Sequence, residues 1–210
     1  MSLNFDIITV TPFRQNCSLL WDDETKEAVL VDVGGDVPFV RAAVEKHGVN
    51  VRELWLTHGH LDHAGGVSEY VSQHEVPVIG PHIEDEYLLQ SLPQTTAQYG
   101  FPVSPAFTPA RWLEEGDTLR VGRYTFEVLH APGHTPGHVV FYCAEADLLV
   151  GGDVLFYESI GRTDFPRGSH EDLLHNIRTK LLVLPERTRV IAGHGMMTTI
   201  AHEKQHNPFL

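Results

Sequence analysis

Short apolar runs broken by polar turns dominate this chain, and most have the lengths of strands. Residues 16–21 (NCSLLW) and 28–33 (AVLVDV) flank the polar segment 22–27, which predicts a hairpin. Asp36 stands where it would cap a helix with Pro38 in its first turn. Phe39, Val40, Ala43 and Val44 supply the apolar face of that helix, and Gly48 can end it. Residues 51–56 return to a strand pattern and run straight into Thr57-His58-Gly59-His60. A short helix is expected over 67–74, a strand over 76–79 and a helix over 82–92. Residues 93–109 hold four prolines and little periodicity. They read as a loop, either one that shapes a site or a solvated connector.

The second half repeats this grammar. Strands are expected at 118–121, 125–129, 139–143 and 148–150, joined by turns containing Gly122-Arg123 and residues 145–147. Ser169 opens a helix, with Asp172 three positions on as a near capping box. Leu173, Leu174, Ile177, Leu181 and Leu182 form its buried stripe. Residues 189–192 make a last buried strand before Gly193-His194-Gly195. A helix of about eight residues then stops before Pro208. Strand clusters in both halves, with helices between them, favour an α/β fold of two sheets packed face to face with helices outside. One domain, residues 1–210, is expected, because the length suits a single core and no linker interrupts it.

Composition narrows the function. The net charge of −13 argues against nucleic acid or anionic membranes as partners, since both would repel the chain. Cys17 and Cys143 are expected as buried free thiols in a reducing compartment. The start, MSLNFDIITVTPF, lacks the basic and apolar blocks of an export signal, and no apolar run approaches the roughly 20 residues of a membrane span. A cytoplasmic protein is the expectation. The anomaly is histidine, with fourteen residues against fifteen Lys plus Arg. Neutral imidazole is the commonest metal ligand, so the count invites a search for metal sites.

That search ends at T-H-G-H-L-D-H-A-G-G, residues 57–66. A strand delivers the chain into a loop carrying His58, His60, Asp62 and His63. On extended backbone His58 and His60 point to one side, because side chains alternate. Four ligand-type residues this close have no packing purpose, and imidazoles crowded without a metal would repel one another as they protonate. Three further candidates follow other strands beside glycine: His134 in A-P-G-H-T-P-G-H, Asp153 in G-G-D, and His194 in G-H-G.

With these stretches together, the chain resembles the metallo-β-lactamase superfamily, and within it the glyoxalase II-like hydrolases of the short bacterial type. The matching segments include G-D-V-L-F, G-R-T-D-F-P and N-P-F-L. The resemblance implies an αββα four-layer sandwich with two divalent metal ions at one edge. It implies His58, His60 and His134 on the first metal, Asp62, His63 and His194 on the second, and Asp153 between them. It also implies hydrolysis of small thioesters, such as S-lactoylglutathione, through a hydroxide bridging the metals. Full-length glyoxalase II enzymes carry a C-terminal helical domain for glutathione, and with the last helix stopping before Pro208 none is expected here. They also place a lysine and a tyrosine after the bridging aspartate, where Gly161-Arg162-Thr163 stands here.

The metal pair would generate nucleophile at neutral pH, and Asp62 would both ligate and orient it as the catalytic residue. Zinc is the default ion for such donors, and iron or manganese fits the same set. Around the metals, Asp32 either accepts a hydrogen bond from a ligand imidazole or caps a turn. Arg162 either holds a substrate carboxylate or forms a structural ion pair. Tyr157 is a candidate for the pocket wall. His138 reads as structural, and the remaining histidines lack ligand spacing. Two alternatives stay open. Lactone hydrolysis would use the same pair of metals, whereas a persulfide dioxygenase would use a single iron on His58, His134 and Asp153.

Overall fold

The computed structural model describes residues 2–210. Strands β1 (Leu3–Val10), β2 (Gln15–Asp22), β3 (Glu27–Val31), β4 (Asn50–Trp55) and β5 (Val78–Ile79) form one sheet in that order. The second sheet takes β6 (Thr118–Val121), β7 (Tyr124–His130), β8 (Val139–Cys143), β9 (Leu148–Gly152), β12 (Arg189–Ala192) and β13 (Thr198–Thr199), in the order β13-β12-β9-β8-β7-β6. A small ribbon of β10 (Leu155–Phe156) and β11 (Ser159–Ile160) lies apart from both.

The helices are α1 (Val37–His47), α2 (Leu61–Ala64), α3 (Val67–Val71), α4 (Glu86–Gln90), α5 (Leu92–Gln98), α6 (His170–Asn176) and α7 (Ile200–His206). A π-turn over Ile177–Leu181 extends α6.

Strand alternation explains the layering. Val29, Val31 and Trp55 of the first sheet pack between the sheets against Phe126, Phe141 and Ile191 of the second. Trp55 meets Phe126 edge-on at 5.4 Å between ring centres. The residues that alternate with these, Ala28, Leu30 and Leu54, face outward onto Val37, Val40 and Leu89 of the helical layer. On the far side Leu129, Val140 and Val190 cover Leu173, Ile177 and Leu181. Central strands buried on both faces read as continuous apolar runs, as the sequence shows. The result is the four-layer αββα sandwich.

Several local expectations shift. β1 joins the anticipated strands; its Leu3, Phe5 and Ile7 alternate with Asn4 and Asp6. Pro93 lies inside α5 rather than in a loop, because a first helical turn has no use for its missing N–H. The irregular segment therefore begins only after Gln98. Asp36 does not cap α1 with its side chain; Oδ2 accepts from Thr11 N at 2.7 Å instead. Ser169 does cap α6, accepting from Asp172 N at 3.2 Å. Cys17 and Cys143 are buried and free.

Strand direction builds the edge that carries the chemistry. β3 runs parallel to β4, and β9 parallel to β12. β7 and β9 each pair antiparallel with β8, so they share a direction. The chain leaves β3, β4, β7, β9 and β12 just before the candidate residues.

A separate contact clamps the two sheets together. Asp22, at the end of β2, accepts from Arg123 N at 3.1 Å, Nε at 2.8 Å and Nη2 at 2.9 Å in the β6–β7 turn. The Arg123 guanidinium holds the Asp22 carboxyl well below the usual range, against the opposing effect of burial. Its ionised form therefore stabilises the fold above the unfolded pKa, and the stabilisation is lost as pH falls through the folded value. Arg123→Ala is expected to lower Tm by several degrees at pH 7, and the difference from wild type is expected to shrink steadily below about pH 4 in thermal melts across pH.

Candidate metal centre

Seven side chains meet at this edge. The donor atoms of His58, His60 and His134 lie within 4.8 Å of one another, and so do those of Asp62, His63 and His194. Asp153 stands between the two groups. Its Oδ1 is 3.4 Å from His63 Nε2, and its Oδ2 is 3.5 Å from both His134 Nε2 and His194 Nε2. Asp62 Oδ2 lies 3.2 Å from His194 Nε2. His60 Nδ1 and His134 Nε2 come within 3.0 Å.

The approach is close enough to restrict the backbone. A Cβ on Gly193 would collide with Asp153 Oδ1, so glycine is required beside the carboxylate.

Partners behind the imidazoles set which nitrogen faces inward. His63 Nδ1 reaches Asp32 Oδ2 at 2.9 Å. His58 Nδ1 reaches Thr57 Oγ1 at 2.9 Å, and that hydroxyl donates to Asp32 Oδ2 at 2.6 Å. His134 Nδ1 donates to the Arg162 carbonyl at 2.7 Å, and His194 Nδ1 to the Phe13 carbonyl at 3.0 Å. In each of these four rings the partner takes Nδ1, which leaves Nε2 as the nitrogen facing the centre.

The electrostatics suit a cation. Burial, reinforced by neighbouring imidazoles, holds His58 well below the ordinary histidine range. Burial and then His134 push His60 down to about 3, and burial lowers His134 as well. These rings are neutral and available as ligands. His63 goes the other way: burial pulls it down, but Asp153, Asp62 and Asp32 together raise it well above its usual value. Three carboxylates around one ring demand positive charge there.

The residues fit a metal. His58 Nε2, His63 Nε2 and Asp153 Oδ1 are buried without a hydrogen-bond partner. Orphaned buried acceptors aimed at one point are costly unless something electropositive lies between them. Imidazole and carboxylate donors are the ligand set of divalent ions such as zinc or iron.

Asp32 thus contacts the His63 imidazole. Arg162 lines the cavity in front of the centre and also makes a two-pronged pair with Asp164, at 3.0 and 2.8 Å. Tyr157 is absent from the cavity wall; its ring stacks on His202 at 4.7 Å, and the preceding Phe156 lines the cavity. His138 is fully buried, stacks on His58 at 4.6 Å and accepts from Asp153 N at 3.0 Å.

Sequence reasoning missed Asp85. This buried carboxylate accepts from Gly59 N at 2.9 Å, Thr135 Oγ1 at 2.8 Å and Gly137 N at 2.6 Å. It ties the loop of His58 and His60 to the loop of His134. Burial pushes it up to about 6 against the pull of those three donors. In the string I-E-D-E it is indistinguishable from a surface acid, so no local signal marks it.

The chain belongs to the metallo-beta-lactamase superfamily, whose profile matches residues 10–194. That places it among metal-dependent hydrolases. It is similar to the hydroxyacylglutathione hydrolase GloC of Haemophilus influenzae, 47% identical over 99% of this chain and 98% of that one. The crystal structure of the BLEG-1 B3 metallo-beta-lactamase superposes with a TM-score of 0.91 at 39% identity, covering 99% of each chain. TTHA1623, solved in a di-iron-bound form, superposes with a TM-score of 0.89 at 36% identity over 98% of this chain and all of that one.

Asp85→Asn sets an amide N–H against at least one of three donors. It is expected to weaken metal retention by roughly 10–100-fold, the range for residues that orient ligands, while near-native circular dichroism persists. Competition with a chromophoric chelator measures it.

Proposed function

We propose that this chain is a hydrolase of small thioesters, of the hydroxyacylglutathione hydrolase type, working with two divalent metal ions. The observation that carries the reading is the position of Asp153 between two complete donor triads at the mouth of one cavity. His58, His60 and His134 would hold one ion and Asp62, His63 and His194 the other, with Asp153 lying between the two sets. Zinc suits these donors, and the di-iron form of TTHA1623 is the reason to keep iron as an alternative. Once bound, such a pair lowers the pKa of water to about 7 and polarises a carbonyl oxygen.

The protein supplies the rest. Asp62 and Asp153 both reach the cavity wall, so a substrate carbonyl entering there meets carboxylates held by imidazoles. Asp62 Oδ2 lies 3.2 Å from His194 Nε2 at the cavity wall, which places the carboxylate to accept a proton from attacking water and to orient it. Held from behind at Nδ1, His58, His63, His134 and His194 each turn Nε2 to the centre.

The leaving group is the discriminating feature. Among the described residues lining the cavity, Asp62 and Asp153 are the only carboxylic acids, and both belong to the donor set. Of the wall's two tyrosines, Tyr87 has its hydroxyl raised further by burial. An amine or alkoxide would need a proton delivered as it departs, whereas a thiolate, with a conjugate acid near pKa 8.5, leaves without one. Thioesters therefore suit this cavity better than amides or alkyl esters.

Elemental analysis of the loaded protein is expected to find two metal ions per chain, and thiol-specific dye is expected to register free thiol from S-lactoylglutathione or another acyl thioester. His134→Ala and Asp153→Asn are expected to lose more than the 10–100-fold typical of residues behind the ligands. One iron per chain, with oxygen uptake on glutathione persulfide and no thioester cleavage, would replace this reading with the dioxygenase one.

A further inference from the structure

One face of α4 and α5 presents a row of hydroxyl-bearing residues to the cavity. Tyr87, Ser91, Thr95 and Tyr99 all line it. They stand four residues apart, and backbone bonds join them turn by turn: Ser91 N donates to the Tyr87 carbonyl at 3.1 Å, Thr95 N to that of Ser91 at 2.9 Å, and Tyr99 N to that of Thr95 at 3.1 Å. Residues at this spacing share one helix face. The same two helices bury Leu89, Leu92 and Thr96 instead, so the row is not part of their packing against the core.

The hydroxyls differ in what they have left to offer. Ser91 Oγ donates to the Leu88 carbonyl at 2.9 Å, and Thr95 Oγ1 donates to the Ser91 carbonyl at 3.1 Å. With their protons committed, both oxygens can only accept from a ligand. Tyr99 is the opposite case. It is 54% exposed, and its hydroxyl has no hydrogen-bond partner among the described residues. Arg162 also has donors to spare. It is the one lysine or arginine among the described lining residues. Asp164 takes its Nε and Nη2 at 3.0 and 2.8 Å, whereas Nη1 makes no hydrogen bond among the described residues. The guanidinium lies over the Phe165 ring at 4.6 Å, and Tyr99 is among the groups that act on it electrostatically.

Along the row, acceptors at Ser91 and Thr95 therefore give way to donors at Tyr99 and Arg162. Ser91 to Tyr99 covers about 12 Å at 1.5 Å per residue. An extended tripeptide spans about 10 Å. A peptide thiol brings amide N–H groups to meet the acceptors and a carboxylate to meet the donors, whereas an alkyl thiol would leave both sets without a ligand partner. The net charge of −13 repels anions in general, so a carboxylate is held only where a local cation meets it.

Building on the thioester reading, we infer that this row is the subsite for the peptide arm of a glutathione thioester: Ser91 and Thr95 accept its amide N–H groups, and Tyr99 with Arg162 Nη1 holds its glycyl carboxylate.

The test measures the metal-loaded full chain on three lactoyl thioesters, those of glutathione, of glutathione glycyl ethyl ester and of ethanethiol. Each variant's kcat/KM is divided by that of wild type, which cancels the intrinsic difference between the thiols. Arg162→Gln and Tyr99→Phe are expected to lose about tenfold or more on the glutathione thioester, chiefly through KM, and about twofold at most on the other two. The second of these variants keeps the ring that meets Phe13 at 6.0 Å and removes only the hydroxyl. Ser91→Ala and Thr95→Val are expected to lose about threefold or more on both peptide thioesters and little on the ethanethiol one. Independently of turnover, S-methylglutathione is expected to raise the Tm of wild type, and to raise it less in Arg162→Gln and Tyr99→Phe at equal concentration. Variants that slow all three thioesters alike, or none of them, would overturn the inference, as would a wild-type Tm unmoved by S-methylglutathione. A Tm response lost selectively in the two variants, with no thioester cleaved by wild type, would instead overturn the thioester reading and leave the subsite standing.

Discussion

A buried carboxylate between two clusters of imidazole is the constraint on which this molecule turns. Asp153 is buried, with Oδ1 lacking any hydrogen-bond donor and Oδ2 beside both His134 and His194. Negative charge in such a place is held only if positive charge comes to it. The surrounding structure turns imidazole nitrogens towards it and leaves the charge itself to a bound cation. Much of what looks incidental nearby follows: the glycine at 193 that makes room, the Asp32 relay that orients two rings, and the stacking of His138 on His58.

The sandwich meets this demand by directing strands rather than by dedicating a loop. Parallel pairs in both sheets, β3 with β4 and β9 with β12, release the chain at one edge, so ligands far apart in sequence arrive together. Packing between the sheets keeps those strand ends rigid, and Asp85 fastens two of the loops to each other. Sites held to this precision on rigid elements bind metal with little reorganisation. The cavity in front is built differently, from residues on the connecting segments after β1, around α4 and α5, and over 162–166.

Local pattern carried most of the elements. The hairpin, the capped helix at Ser169 and the central apolar strands were visible because their signals span a few residues and match a fixed period. Where the reading slipped, a long-range contact had outweighed a local rule. Asp36 prefers the backbone of Thr11 to the end of its own helix. Pro93 sits where a proline is harmless, so a proline count misjudged that segment. Phe156 and not Tyr157 faces the cavity, because the β10–β11 ribbon sets which of two neighbours turns inward.

The sequence by itself determined the inventory: seven ligand-type side chains, each just beyond an apolar strand, beside glycines that permit close approach. Those facts are local, since residue type and strand period are written in adjacent positions. Only the tertiary structure decided that the other six converge around Asp153, that Asp85 braces them from a stretch resembling a surface helix, and that Arg162 is already paired. Convergence depends on the direction and stacking of strands separated by more than a hundred residues, and burial is a property of what the rest of the chain places overhead. Neither quantity has a signature in any window of neighbouring residues.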